Sequence, residues 1–215
     1  MASFRTHITV AVIASGAATL SCMQADLVSH RQAFIPFSLG VLAGILPDID
    51  SDYSVPTRML FKLLSVVAAL LVVACFVEEL NIFYLLGMAG LAALSVRYII
   101  YPLFASMTEH RGLFHSLPAA MLFALFVVGI GLYGLYWSVE FSWLAACFMC
   151  GGYLVHLLLD EFYSVDFMGR SLKASFGTAL TLFSPSSWGS YILLYMAVGL
   201  GVYLLPLPEW MMEPA

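Results

Sequence analysis

The sequence predicts an all-α fold, a polytopic transmembrane helical bundle of about five to seven membrane helices. Three observations lead there. Of 215 residues, 62% are hydrophobic and only 10% charged, against about 45–50% and about 25% in an ordinary soluble domain. A mean hydropathy of +0.98 gives this chain more apolar surface than an interior can hide, so lipid must solvate the remainder. The apolar residues also gather into about seven runs, at 8–23, 33–47, 59–77, 82–100, 117–137, 141–159 and 190–205.

The first run follows Arg5 and could be taken for a signal peptide, but Thr19-Leu20-Ser21-Cys22 is a poor lipoprotein cleavage box, so the run reads as a mature helix. Runs 8–23 and 33–47 fall a little short of the ~17–25 residues that cross a bilayer, while the four from 59 to 159 are long enough. Helix is the default for each, because a lone span must satisfy its own backbone and the alternation of barrel strands is absent. The expected organisation is a membrane-embedded domain over 1–189, then a C-terminal transmembrane helix and short tail over 190–215. Segment 161–189 mixes Arg170 and Lys173 with Phe and Leu, and reads either as an interfacial stretch over a headgroup pocket or as a linker. Cys22, Cys75, Cys147 and Cys150 all lie in or beside apolar runs and read as buried small hydrophobes; the Cys147/Cys150 spacing has no second pair to make a metal knuckle. A net charge of −5 with no basic run argues against a nucleic-acid partner.

Sidedness follows from counting crossings. Residues 1–7, 48–58, 101–116 and 160–189 share one side. That side and its adjoining helix ends hold Arg5, Arg58, Lys62, Arg97, Arg111, Arg170 and Lys173, whereas the other holds Arg31. The positive-inside rule makes the first side cytoplasmic.

His7, Asp48, Asp50, Asp52, Glu109, His110, His115, His156 and Asp160 map to that same side, and four of the five histidines are among them. Convergence of five helix ends on one site explains this better than chance. His156 and Asp160 stand at i and i+4, on one helix face, so both can reach one cation; the ordinary reading is an interhelical hydrogen-bonded pair. Pro47-Asp48-Ile49-Asp50-Ser51-Asp52 sets three carboxylates at alternate positions, or is simply a capped, solvated turn. Residues Glu109 to Ser116 pack two imidazoles, an acid and a guanidinium into eight positions, more than a solvated loop needs. Imidazole with carboxylate suits zinc, manganese or iron, whereas an all-oxygen set would suit magnesium or calcium. His7, Asp48, Asp50, His110, His115, His156 and Asp160 are too many for one tetrahedral ion and suit two divalent ions, zinc or manganese, at the cytoplasmic face. Such a pair can activate a water and clamp the oxygens of a phosphoester. Arg111 would grip phosphate bidentately, Lys173 would add a point charge, and Glu109 would move a proton or orient an imidazole. For Arg58 and Lys62, snorkelling to the interface is the better reading.

His7 at the head of the first helix, Gly44-Ile45-Leu46-Pro47-Asp48-Ile49-Asp50, His110-Arg111-Gly112-Leu113-Phe114-His115-Ser116 and Gly152-Tyr153-Leu154-Val155-His156-Leu157-Leu158-Leu159-Asp160 occur in this order. With them the chain resembles the YdjM-like family of bacterial inner-membrane, LexA-linked metal-dependent hydrolases, over roughly residues 1–185. That family is distantly similar to zinc-dependent phospholipase C and P1-type nucleases, which implies phosphoester hydrolysis by a His/Asp metal site that includes an H-x-x-x-D pair. A second such pair does not occur here, which departs from the three-zinc pattern.

The expected function is thus a metal-dependent phosphoester hydrolase acting on a phospholipid or another membrane-associated phosphorylated substrate. A proton- or metal-coupled transporter with a His/Asp relay is the alternative, against which stand the one-sided clustering and the lack of an inverted repeat. An intramembrane metalloprotease would need H-E-x-x-H, which the sequence does not contain. A scaffold with a structural metal would bind metal without hydrolysing anything.

Overall fold

Ser3 starts the first helix, its Oγ accepting the Thr6 backbone N–H at 3.2 Å and satisfying a donor that the first turn leaves open. Helix α1 runs Phe4–Gln24 and stops where Asp26 adopts a left-handed φ of 55°. The computed structural model describes residues 3–50, 55–107, 113–166, 171–172 and 180–212. Helix α2 (Phe34–Ala43) leads to a 3₁₀ turn, Pro47–Asp50. Then follow α3 (Val55–Phe76) and α4 (Ile82–Ser95), the latter capped by Asn81, whose side-chain oxygen accepts from Phe83 and Tyr84 N–H. A π turn, Val96–Ile100, carries α4 into α5 (Tyr101–Met107). Helix α6 (Leu117–Gly129), capped by Ser116, is prolonged by a π turn, Ile130–Gly134. The longest helix, α7 (Val139–Ser164), ends in an antiparallel pair of two-residue strands, β1 (Val165–Asp166) and β2 (Ser171–Leu172). Helices α8 (Trp188–Leu204) and α9 (Glu209–Met212) close the chain.

The chain divides into two units, Met1–Pro47 with Leu113–Ala215, and Asp48–Gly112. In the second, α3 and α4 form a hairpin, and Phe61 of α3 packs its ring on Tyr101 and Phe104 of α5 at centroid distances of 5.1 and 5.2 Å. In the first, α7 is the central element, packed against α1, α2 and α6, with α8 laid on α6. Its core is built from Ala43, Ala119, Val128, Ala145, Tyr153 and Leu157 together with smaller contributions around them.

Among the described residues, four stretches are long and apolar enough to cross a membrane: Phe4–Gln24, Ile82–Phe104, Leu117–Gly134 and Val139–Tyr163. Helix α3 has 22 residues, while α2 and α8 are shorter apolar helices. The helical membrane bundle read from the sequence is therefore the architecture found. The first run differs from expectation: the Ser3 cap starts α1 at Phe4, taking Arg5 and His7 into the helix and making it long enough to span. The cysteines are all free, as expected, but differ in burial: Cys75 and Cys147 are exposed and Cys22 and Cys150 only half-buried, because these helix faces are not covered by a neighbouring helix. Phe83 at 84% and Leu193 at 64% exposure show the same outward apolar surface.

Small residues let α1, α2 and α7 approach closely. The buried face of α1 is His7, Ala11, Ser15 and Thr19, every fourth residue. A Cβ at Gly152 would overlap the Gly40 carbonyl oxygen, so α7 and α2 meet backbone to backbone. A Cβ at Gly44 would likewise overlap the Ala11 side chain. The segment before α6 is tied down by its main chain. Tyr153 Oη donates to the Phe114 carbonyl, Ser116 Oγ donates to the Leu113 carbonyl at 2.6 Å, and Leu117 N–H donates to the Thr181 carbonyl at 3.1 Å.

Three substitutions test this packing by thermal unfolding in detergent. Gly152→Ala should destabilise the protein by about 1–3 kcal/mol through overpacking, whereas Gly151→Ala, which meets nothing within 4 Å, should leave the midpoint unchanged; equal midpoints for both would refute the close α2–α7 contact. Tyr153→Phe removes the hydrogen bond to Phe114 and should cost about 1–3 kcal/mol, and an unaltered midpoint would show that this bond holds nothing.

Candidate metal centre

Asp160, on the last turns of α7, is fully buried. A carboxylate removed from water is costly unless charge or hydrogen bonds compensate it. Three imidazoles surround it. His156, one turn earlier on the same face of α7, brings Nε2 to 3.9 Å from Asp160 Oδ2. His7, near the start of α1, brings Nε2 to 3.3 Å from Oδ1. His115, just before the Ser116 cap of α6, brings Nε2 to 3.8 Å from Oδ2. All three rings are at most 1% exposed. His7 stacks on His156 with centroids 3.9 Å apart and planes 14° from parallel, and His115 meets His156 edge-on at 5.7 Å.

The protonation pattern of His156 follows from its other nitrogen. Nδ1 lies 2.8 Å from the Gly44 carbonyl at the end of α2. A carbonyl only accepts, so Nδ1 carries the hydrogen and Nε2 presents its lone pair toward Asp160. An imidazole anchored this way through its far nitrogen is the usual arrangement of a metal-ligating histidine. Among the described residues neither ring nitrogen of His7 makes a hydrogen bond, since the 3.3 Å approach to Asp160 lacks hydrogen-bond alignment.

Donor atoms of His7, His156 and Asp160 all lie within 4.8 Å of one another and can hold a metal ion. Bonds of ~2.0–2.1 Å in tetrahedral geometry set ligand atoms about 3.3–3.4 Å apart, and the three separations from Asp160 are at that spacing or slightly beyond it. The donor set, imidazole plus carboxylate, suits a borderline-soft divalent cation.

Of the residues singled out from sequence, the first unit thus brings together His7, His115, His156 and Asp160, from the starts of α1 and α6 and the end of α7. Asp48 belongs to the second unit, where it is half-buried and its main-chain carbonyl accepts from Thr57 Oγ1 at 3.4 Å. Glu109, His110, Arg111 and Lys173 lie outside the described residues, as do Asp52 and the side chain of Asp50. His30, the histidine left out of the cluster, is exposed in the turn between α1 and α2. Two supporting groups escaped the sequence reading although both sit inside quoted motifs. The Gly44 carbonyl and the Tyr153 hydroxyl act on, or as, main-chain acceptors, which leave no signature in residue type.

Neither a curated protein nor a solved structure matches the chain to significance. The profile of the family described as YdjM inner membrane protein matches residues 1–207, and the chain therefore belongs to that inner-membrane family.

Proposed function

We propose that the chain is a membrane-bound metal-dependent hydrolase that cleaves a phosphoester in a phosphorylated lipid or another membrane-associated substrate at the cytoplasmic face. The observation that carries this reading is the fully buried Asp160 carboxylate ringed by three imidazole Nε2 atoms at one end of a membrane bundle. A divalent cation, zinc or manganese, would supply the Lewis acidity that phosphoester hydrolysis needs. His7, His156 and Asp160 would hold it, with His115 completing the set. A second ion would draw on Asp48, Asp50 and His110. Arg111 would bind substrate phosphate through its planar fork, Lys173 would add positive charge, and Glu109 would transfer a proton.

A relay for transport would continue down the bundle. Below His7 the buried face of α1 carries Ala11, Ser15 and Thr19, and Thr19 Oγ1 donates to the Ser15 carbonyl within its own helix at 2.7 Å. Below His156 the corresponding face of α7 carries Gly152 and Phe148. No carboxylate, imidazole or cationic side chain follows the cluster along either face, which favours a site at one end over a path through the membrane.

Purified full-length protein should carry stoichiometric zinc or manganese by elemental analysis. His156→Ala with Asp160→Ala should lower that content at least about tenfold, while Asp160→Asn, which keeps the volume, separates ligand loss from misfolding by retaining the helical circular-dichroism signal. Chelation should lower the thermal midpoint and metal return should restore it. Loaded protein should release phosphate or a phosphorylated headgroup from a phospholipid panel, with Arg111→Ala raising KM about tenfold or more. Full metal retention in the double variant would end the site assignment, and metal without turnover on any panel member would end the hydrolase reading.

A further inference from the structure

An open-sided groove of about 390 Å³ runs between α1 and α7. On the α1 side only alanine, serine and cysteine line it, from Ala11 to Cys22; on the α7 side it runs from Val155 back to Leu144. Its rim residues Ala18 and Cys147 are exposed. Both helices are long and apolar enough to cross the membrane, so the groove opens onto hydrocarbon. Water gains few partners in so apolar a trough, whereas hydrocarbon can fill it without losing any.

One end of the groove lies within a turn of the His/Asp cluster along both helices. Ala11 lies one turn along α1 from His7, and Val155 directly precedes His156 on α7. From Ala11 to Cys22 the rise along α1 is about 16 Å, and from His7 about 22 Å. Half of a ~30 Å hydrocarbon core is ~15 Å, so a molecule with its polar end at His7 and its tail in the groove reaches past the bilayer midplane. That is the span of one long hydrocarbon chain.

We infer that this groove seats a hydrocarbon tail of a phosphorylated membrane lipid whose headgroup lies at the His7/His156/Asp160 cluster. The inference rests on the hydrolase reading for the role of the headgroup, and narrows the substrate to long-chain lipids over soluble phosphoesters. Ala14, Ala18 and Gly151 line the groove and project too little to close it, which leaves it open for a lipid tail to enter from the side.

The test uses metal-loaded full-length protein in phospholipid vesicles with a phosphatidic acid that carries a photoactivatable diazirine on one acyl chain. Labels mapped by peptide mass spectrometry should concentrate on α1 and α7 at the groove over the exposed α8 surface at Leu193. Unlabelled long-chain phosphatidic acid should compete. Ala18→Phe, which fills the groove eleven residues from His7, should cut groove labelling about tenfold while metal content and α8 labelling stay as in the wild type. Groove labelling equal to that of α8, or insensitive to Ala18→Phe, overturns the proposal. Groove labelling without hydrolysis of any phosphorylated lipid supports the groove and sinks the hydrolase reading alone. Hydrolysis of a short-chain phosphoester as fast as its long-chain counterpart, with no groove labelling, sinks the groove alone.

Discussion

The first unit depends on how closely the main chains of α2 and α7 approach at Gly40 and Gly152. In a bilayer, burial of apolar surface adds nothing to helix association, because lipid tails are as apolar as leucine; contact area and hydrogen bonds must hold helices together. Glycine against glycine maximises that contact. It also places the end of α2 beside the last turns of α7, where the Gly44 carbonyl meets His156 Nδ1. Helix α1 joins the same packing through Ala11 and Ser15, which carries His7 to its place over the His156 ring. Ring geometry at the cluster is thus a product of small residues one or two turns away from it.

Such packing has a cost at its polar end. His7, His115, His156 and Asp160 are together removed from both water and lipid, and polar groups inside a membrane bundle are retained when something is made of them. The arrangement is also tied in from two sides. Tyr153, buried in the core, grips the strand-like segment that carries His115, and the same segment pairs with Thr181 beyond α7. Each histidine comes from a different helix end, so the cluster closes only when three helices and one returning segment are all in place.

Much of this was readable from residue order. The apolar runs correspond to helices because a span in lipid has few alternatives, and His156 with Asp160 share a face because 3.6 residues make a turn. Counting crossings put His7 and His115 with them, a deduction that needs only the parity of the spans. What could not be read were features decided by packing or by main chain. The start of α1 at Phe4 depends on the Ser3 cap rather than on hydropathy. The outward positions of Cys75 and Cys147 depend on which helix face meets its neighbours. The division of the chain at Pro47 and Leu113 depends on contacts between distant segments. Gly44 and Gly152 were visible as motif residues, but their reason, the absence of room for a Cβ, appears only in three dimensions.

The partner that orients His156 is a main-chain carbonyl, and this shapes how the chain can change over time. A side-chain partner can be lost by a single substitution; a peptide oxygen is present whatever residue follows or precedes it. Drift along α2 can alter how far that oxygen stands from the ring, but not its chemistry. Selection then acts on the inner face of α2 chiefly through size, so the helix should tolerate exchange of one apolar side chain for another on its outer face far better than one added methyl group on its inner one.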